Sequence, residues 1–303
     1  MLFRVIEQVK TIVKLKIQNM ILVADSGSTK TDWCLINEGN TFFTTEGYNP
    51  YFADRLYIIN SIKSGLPLGI DPSAIKGVYF YGAGCQEDKV EVMLDILRSV
   101  FPNCDHISAD VDLLAATRGL LGNSAGFAAI LGTGTNTCLY DGNRIVSNID
   151  SLGFILGDEG SGAAIGKKIL GDYLRDKMPE AVRQAFQATY NLTSAEIIHK
   201  VYREPLANRF CAGFTSFLKQ PETDEQYSYE LVKSCFTEFF QELVSCYPNY
   251  TDYTFNSVGS VGYHFKDILL EVLREFNMKP GKIIKSLIHE LVNYHMAPAT
   301  IIH

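Results

Sequence analysis

The chain has 303 residues, 47% of them apolar and 20% charged, the balance of an ordinary globular protein, and its length suits two domains better than one. A net charge of −7 argues against a nucleic-acid binder, which is normally basic, while local dipoles could still hold a small anion. The seven cysteines (Cys34, Cys85, Cys104, Cys138, Cys211, Cys235, Cys246) are scattered, odd in number and free of any C-x-x-C pair. Neither a zinc knuckle nor a disulfide framework is indicated, and a reducing cytoplasm is expected.

Met1 to Asn19 sets basic residues among aliphatic ones. Arg4, Glu7, Lys10, Lys14 and Lys16 interrupt it too often for a signal peptide or a membrane span. It reads as a non-native or peripheral extension before a start at Met20, with an amphipathic surface helix as the alternative. Met20 to Ala24 is a continuous apolar run, hence a buried strand, and it ends in Asp25-Ser26-Gly27-Ser28-Thr29-Lys30-Thr31. Trp33–Ile36 and Thr41–Thr45 are two more strands, separated by the turn Glu38-Gly39-Asn40. After the loop Gly47-Tyr48-Asn49-Pro50, helical spacing runs from Tyr51 to Ser64. A strand at Val78–Tyr81, a helix at Lys89–Phe101, a strand at His106–Ala109 and a helix at Leu113–Leu121 follow.

The same order then begins again. Phe127–Leu131 is a strand, Gly132 to Thr135 a turn, Thr137–Tyr140 a strand and Arg144–Asn148 another. A glycine-rich loop from Gly153 to Gly162 precedes a helix at Ala163–Arg175, and a helical insert fills 179–247. Strand Tyr253–Val258, turn Gly259–Gly262, helix Phe265–Phe276, a short strand at Lys282–Ile284 and a helix at Leu287–His295 complete the chain. A duplicated strand-strand-strand-helix-strand-helix unit predicts an α/β fold of two similar domains, about 20–118 and 119–286, with a ligand in the cleft they share.

Four polar turns follow strand ends and so fall at that cleft. In the first, the backbone N–H groups of Gly27, Ser28 and Thr29 suit a phosphate, Ser26 and Lys30 flank them, and Asp25 would hold a hydrated Mg²⁺. A hairpin turn with a solvated lysine is the plain alternative. The second, Gly132 to Asn136, is a matching cradle, and neither is a G-x-x-x-x-G-K-[ST] loop. The third is Asp110, a carboxylate able to take a proton from a hydroxyl that attacks a phosphate. Asp112 would cap or support the helix that follows it. The fourth, Gly157 to Gly162, offers Asp158 and Glu159 to sugar hydroxyls or Mg²⁺ and Ser161 as a helix cap. Gly259, Ser260 and Gly262 form a G-x-x-G that lets a flat ring or ribose approach the backbone.

These stretches resemble, in order, the two phosphate motifs, the connecting loop and the adenosine motif of the sugar kinase/Hsp70/actin superfamily. The chain is most similar to its N-acetylglucosamine kinase and BadF/BadG-type ATPase group, from about Met20 to the C-terminus. The resemblance implies a duplicated ribonuclease-H-like, actin-like ATPase fold that binds ATP and Mg²⁺, with the helix from Leu287 returning to the first domain. It implies Asp110 as catalytic base, Thr29 at the phosphates, and Asn49, Gly134, Asn136 and Asp158 at a sugar; as the second jaw of a phosphate clamp, Gly132 and Thr133 would face the phosphates too. Ser26 stands where a glycine is common, Thr135 where a serine is, and Phe154 where some amino-sugar kinases have tryptophan.

The expected activity is therefore phosphorylation of a hydroxyl of N-acetylglucosamine or a related amino sugar, with ATP and the sugar as partners and neither nucleic acid nor membrane. Two other readings stand beside it. An ATPase that activates a dehydratase would need cysteines converging on an iron–sulfur cluster, and these are dispersed. A non-catalytic nucleotide or sugar sensor would not need Asp110. A homodimer is allowed: Phe210, Phe214 and Phe217 in the insert offer a subunit contact, although a buried helix face is the ordinary meaning of such a stripe.

Overall fold

The computed structural model describes residues 20–27, 29–37, 39–48, 54–86 and 88–297. The expected extension 1–19 and the expected contacts Ser28 and Asn49 lie outside the described residues. The chain forms two compact units: one holds the described residues up to Gly119 together with those from Leu287, the other Leu120–Ser286.

In the first unit, β1 (Ile21–Ser26), β2 (Lys30–Ile36) and β3 (Thr41–Glu46) run antiparallel, and α1 (Arg55–Gly65) follows. Then β4 (Gly77–Gly82), α2 (Asp88–Val100), β5 (His106–Val111) and α3 (Asp112–Leu121) alternate, and the sheet order is β3-β2-β1-β4-β5. β1, β4 and β5 are parallel. One sheet face carries Leu22, Ala24, Trp33, Leu35, Val78 and Phe80 into a core shared with Ile58 and Ile62 of α1 and Met93, Ile96 and Leu97 of α2. Each large aliphatic or aromatic side chain buried there contributes about 1.5–3 kcal/mol. Trp33 stacks on Phe43 at 5.8 Å and donates its indole N–H to Thr45 Oγ1 at 2.8 Å, which locks β2 to β3.

In the second unit, β6 (Gly126–Leu131), β7 (Thr135–Tyr140) and β8 (Ile145–Ile149) form the antiparallel half. The short turn of helix α4 (Gly153–Leu156) and α5 (Gly162–Leu174) follow. The insert contributes α6 (Glu180–Tyr190), α7 (Ser194–Arg203), α8 (Ala207–Gly213) and α9 (Glu225–Glu242). Then come β9 (Thr254–Val258), α10 (Ser260–His264), α11 (Lys266–Glu275) and β10 (Lys279–Ile284). The order β10-β9-β6-β7-β8 repeats that of the first sheet. The last helix, α12 (Ile288–Met296), belongs to the first unit and packs against β1 and β2.

Three boundaries differ from the sequence pattern for identifiable reasons. β2 begins at Lys30 because Thr31 and Asp32 pair with Ser26 and Asp25, although they lack apolar character. β10 begins at Lys279, since Pro280 sits beside the register shift before Ile283 and leaves an edge that no apolar run announces. Residues 259–262 are not a plain turn: Ser260 already starts a helix. The stripe of Phe210, Phe214 and Phe217 is core, with Phe214 and Phe217 buried against Phe186 and Tyr190. Among the described residues no helix is long and apolar enough to cross a membrane.

Candidate active site

Strand register places four side chains in one row at the end of the first sheet. Asp32 of β2 faces Asp25 of β1, Asp25 faces Tyr81 of β4, and Tyr81 faces Asp110 of β5. Residues in register share a sheet face, and the preceding row (Ala24, Phe80, Ala109) points to the core on the other side. Burial pushes the Asp25 carboxyl up to about 7, with the neighbouring Asp112 and Asp32 adding to the effect and Lys30 opposing it. Burial also pushes Asp112, the first residue of α3, up to about 6. Lys30 Nζ is spent on Asp32 at 2.7 Å. Among the described residues no three His, Cys, Asp or Glu side chains converge to hold an ion directly. Asp25 is a hard oxygen donor whose anion lies among like charges, so it fits a divalent cation held through water.

Asp110 is about one-third exposed, its side chain at 35%, and its Oδ2 lies 3.8 Å from Nη1 of Arg118. The same nitrogen donates to Tyr81 Oη at 2.7 Å, and Tyr81 Oη is 2.9 Å from Nε2 of His295. Sequence reading missed Arg118, Tyr81 and His295. None stands in a glycine-rich turn, and only strand register and the return of α12 bring them to Asp110.

The two hairpin turns are built alike. Gly27 donates its N–H to Lys30 O at 3.0 Å, and Gly132 donates to Gly134 O at 3.0 Å. The N–H groups of Thr29, Thr133 and Gly134 have no hydrogen-bond partner among the described residues, so both turns present backbone donors. The side chain of Ser26 is turned inward. It is fully buried, and its hydroxyl meets Thr31 Oγ1 at 2.7 Å and accepts from Tyr48 N at 3.1 Å, which shapes the hairpin.

Three loops converge on the second hairpin. Gly132 O and Thr133 O accept from the first amides of α5, Gly162 N at 2.8 Å and Ala163 N at 3.0 Å. Ser161 caps that helix through Ala164 N. Asp158 has φ +57° and is 7% exposed; its Oδ1 accepts from Thr135 N at 3.1 Å, and its carboxylate lies directly behind Gly134. Burial raises its pKa, while the bonds from Thr135 and Ser151 pull the other way. Asp158 is therefore a brace for the turn. Asn136 Oδ1 accepts from Thr137 N and from Asn148 Nδ2, each at 2.9 Å. Gly259 has φ +129°, and a Cβ there would collide with the Leu131 carbonyl; Gly262 sits 3.1 Å from Leu131 Cδ1 by the same measure. These two glycines let the exposed Ser260 and the start of α10 lie against the end of β6.

The duplication stops at the backbone. In the second sheet, the positions of Asp25, Tyr81 and Asp110 are taken by Ile130, Val258 and Ile284. The carboxylates at Asp25 and Asp110 therefore have no counterpart at these positions of the second unit.

Two sheets of this order, each with a glycine hairpin between its first two strands, define an actin-like ATPase fold. No protein-family model matches the chain, and no curated protein does. Solved structures do. A candidate N-acetylglucosamine kinase from Porphyromonas gingivalis is 43% identical, with 91% of this chain and 98% of that one covered at a TM-score of 0.85. The chain belongs to the N-acetylglucosamine kinase/BadF-BadG-type ATPase group of the sugar kinase/Hsp70/actin superfamily. A candidate N-acetylglucosamine kinase from Chromobacterium violaceum has 15% identity and a TM-score of 0.66 over 91% of this chain and 98% of that one. A ROK family glucokinase from Streptomyces griseus, in complex with glucose and AMPPNP, has 14% identity and a TM-score of 0.60 over 92% and 100%. The last two share the fold.

Proposed function

We propose that the protein is an ATP-dependent kinase that phosphorylates a hydroxyl of N-acetylglucosamine or a related amino sugar, with Asp110 as general base. The observation that carries the reading is the placement of Asp110. It ends a parallel strand in the same row as Asp25, is one-third exposed, and has its counterpart in the other unit replaced by Ile284. The 43% identical relative, itself a candidate N-acetylglucosamine kinase, supports the same class.

In this mechanism a substrate hydroxyl gives its proton to the Asp110 carboxylate as its oxygen bonds to the γ-phosphorus. The bond to the bridging oxygen breaks and ADP leaves with that electron pair. Phosphoryl transfer needs positioning and charge neutralisation more than covalent chemistry. Amides of Thr29 on one hairpin and of Thr133 on the other take phosphate oxygens, with Gly27 and Gly132 setting the two turns. Gly259, Ser260 and Gly262 take the adenosine. Asn49, Gly134 and Asn136 orient the sugar, and Asp158 holds their loop in shape. Asp25 would hold a hydrated Mg²⁺, which when bound neutralises phosphate charge.

The burial of the cysteines favours this reading over a dehydratase activator. Cys34, Cys85, Cys138, Cys211 and Cys235 are buried with their thiols pushed up to about 11 or 12, and Cys246 is the exposed one. Thiolate ligands for a surface cluster would have to come from elsewhere. An ADP-release assay with N-acetylglucosamine, N-acetylmannosamine and glucosamine tests the proposal. A sugar that stimulates ATP turnover supports it, and failure of all three removes it in favour of a sensor.

A further inference from the structure

Four side chains from three distant segments form a connected chain that ends at Asp110. We propose that Arg118 is a positioning residue for Asp110, and that Tyr81 and His295 of the C-terminal helix brace its guanidinium. The proposal rests on the reading of Asp110 as general base.

Arg118 stands on α3, eight residues beyond Asp110, so the helix brings its head back over the end of β5. Nη1 donates to Tyr81 Oη at 2.7 Å and lies 3.8 Å from Asp110 Oδ2. The guanidinium is also confined by two rings, its carbon 5.6 Å from the Tyr81 centroid and 5.5 Å from that of Tyr294. It cannot swing away from the carboxylate without giving up both ring contacts and the hydrogen bond. Its charge therefore selects one orientation of Asp110, with Oδ2 toward Arg118 and Oδ1 left for a substrate hydroxyl.

Tyr81 Oη accepts from Arg118 and keeps its own proton, which a neutral imidazole protonated on Nδ1 can accept at Nε2 of His295, 2.9 Å away. The ring lies against Tyr79 at 4.0 Å, and burial together with the nearby guanidinium pushes His295 down to about 4. Through these contacts the last helix of the chain fixes a group at the reacting end of β5.

A merely structural arginine would be expected to satisfy all its nitrogens, because a buried donor without an acceptor costs stability. Arg118 Nε is buried and has no partner among the described residues. The arrangement keeps the head where Asp110 needs it at the expense of that donor.

The test compares Arg118→Met, Arg118→Lys, Tyr81→Phe and His295→Phe with wild type, using ATP and N-acetylglucosamine, and pairs the kinetics with crystal structures. Misplacing a reacting group by about 1 Å costs on the order of 100-fold. Arg118→Met is therefore expected to lower kcat by about 10- to 100-fold with both KM values within about twofold, and added guanidinium ion is expected to restore part of the loss. Arg118→Lys recovers only part of the rate, because one ammonium cannot serve Tyr81 and Asp110 in the same geometry. Tyr81→Phe and His295→Phe, which keep their rings, lose kcat to a smaller degree and guard against a folding defect in Arg118→Met. In the crystal the Asp110 carboxylate of Arg118→Met adopts a different rotamer. Wild-type kcat in all four variants, or an unmoved Asp110 in Arg118→Met, overturns the proposal. Full activity in Asp110→Asn, or no turnover with any sugar, instead overturns the general-base reading, and the rotamer comparison then decides the positioning claim alone.

Discussion

Asp25 and Asp110 occupy the same row of the first sheet, two strands apart with Tyr81 between them. Adjacent strands lie about 4.8 Å apart, so the two backbones are separated by roughly 10 Å. They also lie in different surroundings. Asp25 is pushed up by burial and by Asp112 and Asp32, while Asp110 faces the guanidinium of Arg118. Each has an apolar counterpart in the second unit, Ile130 for Asp25 and Ile284 for Asp110.

The raised Asp25 carboxyl predicts a pH effect on stability. Its folded value, about 7, lies above the ordinary 3.8, so the folded state holds a proton that the unfolded state releases. Whatever this contributes is present below pH 3.8 and lost as pH rises through 7. Asp25→Asn should therefore be more stable than wild type at pH 8 without divalent cation, by roughly 1–2 kcal/mol, and inactive. Adding Mg²⁺ with ATP should raise the melting temperature of wild type more than that of Asp25→Asn. Equal melting temperatures at pH 8 would contradict the assignment.

His295 predicts the opposite slope. Its folded value, about 4, lies below the ordinary 6.5, so its contribution is present above pH 6.5 and lost as pH falls through 4. Between pH 6.5 and 4 the first unit should lose up to about 3 kcal/mol from this residue. His295→Phe should flatten that part of a denaturant-unfolding pH series, and an unchanged slope would refute the neutral imidazole.

Gly259 predicts a backbone effect. Any Cβ there collides with the Leu131 carbonyl, and φ is +129°. Gly259→Ala should destabilise by about 2 kcal/mol or more and weaken nucleotide binding. Gly39→Ala, where a Cβ meets nothing within 4 Å, is the neutral control. Chemical denaturation with AMPPNP titration separates the two outcomes.

Much of this was legible in the sequence because the relevant signals are local. Apolar runs ending in Asp25-Ser26-Gly27 and Leu131-Gly132-Thr133 mark strands and turns, and their repetition gives the duplicated fold. Asp110 could be singled out because it follows a strand and precedes a helix. The inward turn of the Ser26 hydroxyl onto Thr31 is not legible, because it follows from register and not from the composition of the loop. Arg118, Tyr81 and His295 were invisible because they meet only after β4, β5, α3 and α12 assemble. The burial of Asp158 behind Gly134 is not legible either, because a left-handed backbone at an aspartate leaves no mark in the pattern.

In the proposed reaction Asp110 takes the proton from a sugar hydroxyl. The most direct measurement is sugar-stimulated ADP release by wild type and Asp110→Asn, with AMPPNP binding followed in parallel. Turnover should appear with an amino sugar and fall by about 10²- to 10⁴-fold in Asp110→Asn while AMPPNP binding stays within about twofold. Sugar-dependent turnover at the wild-type rate in Asp110→Asn would contradict it.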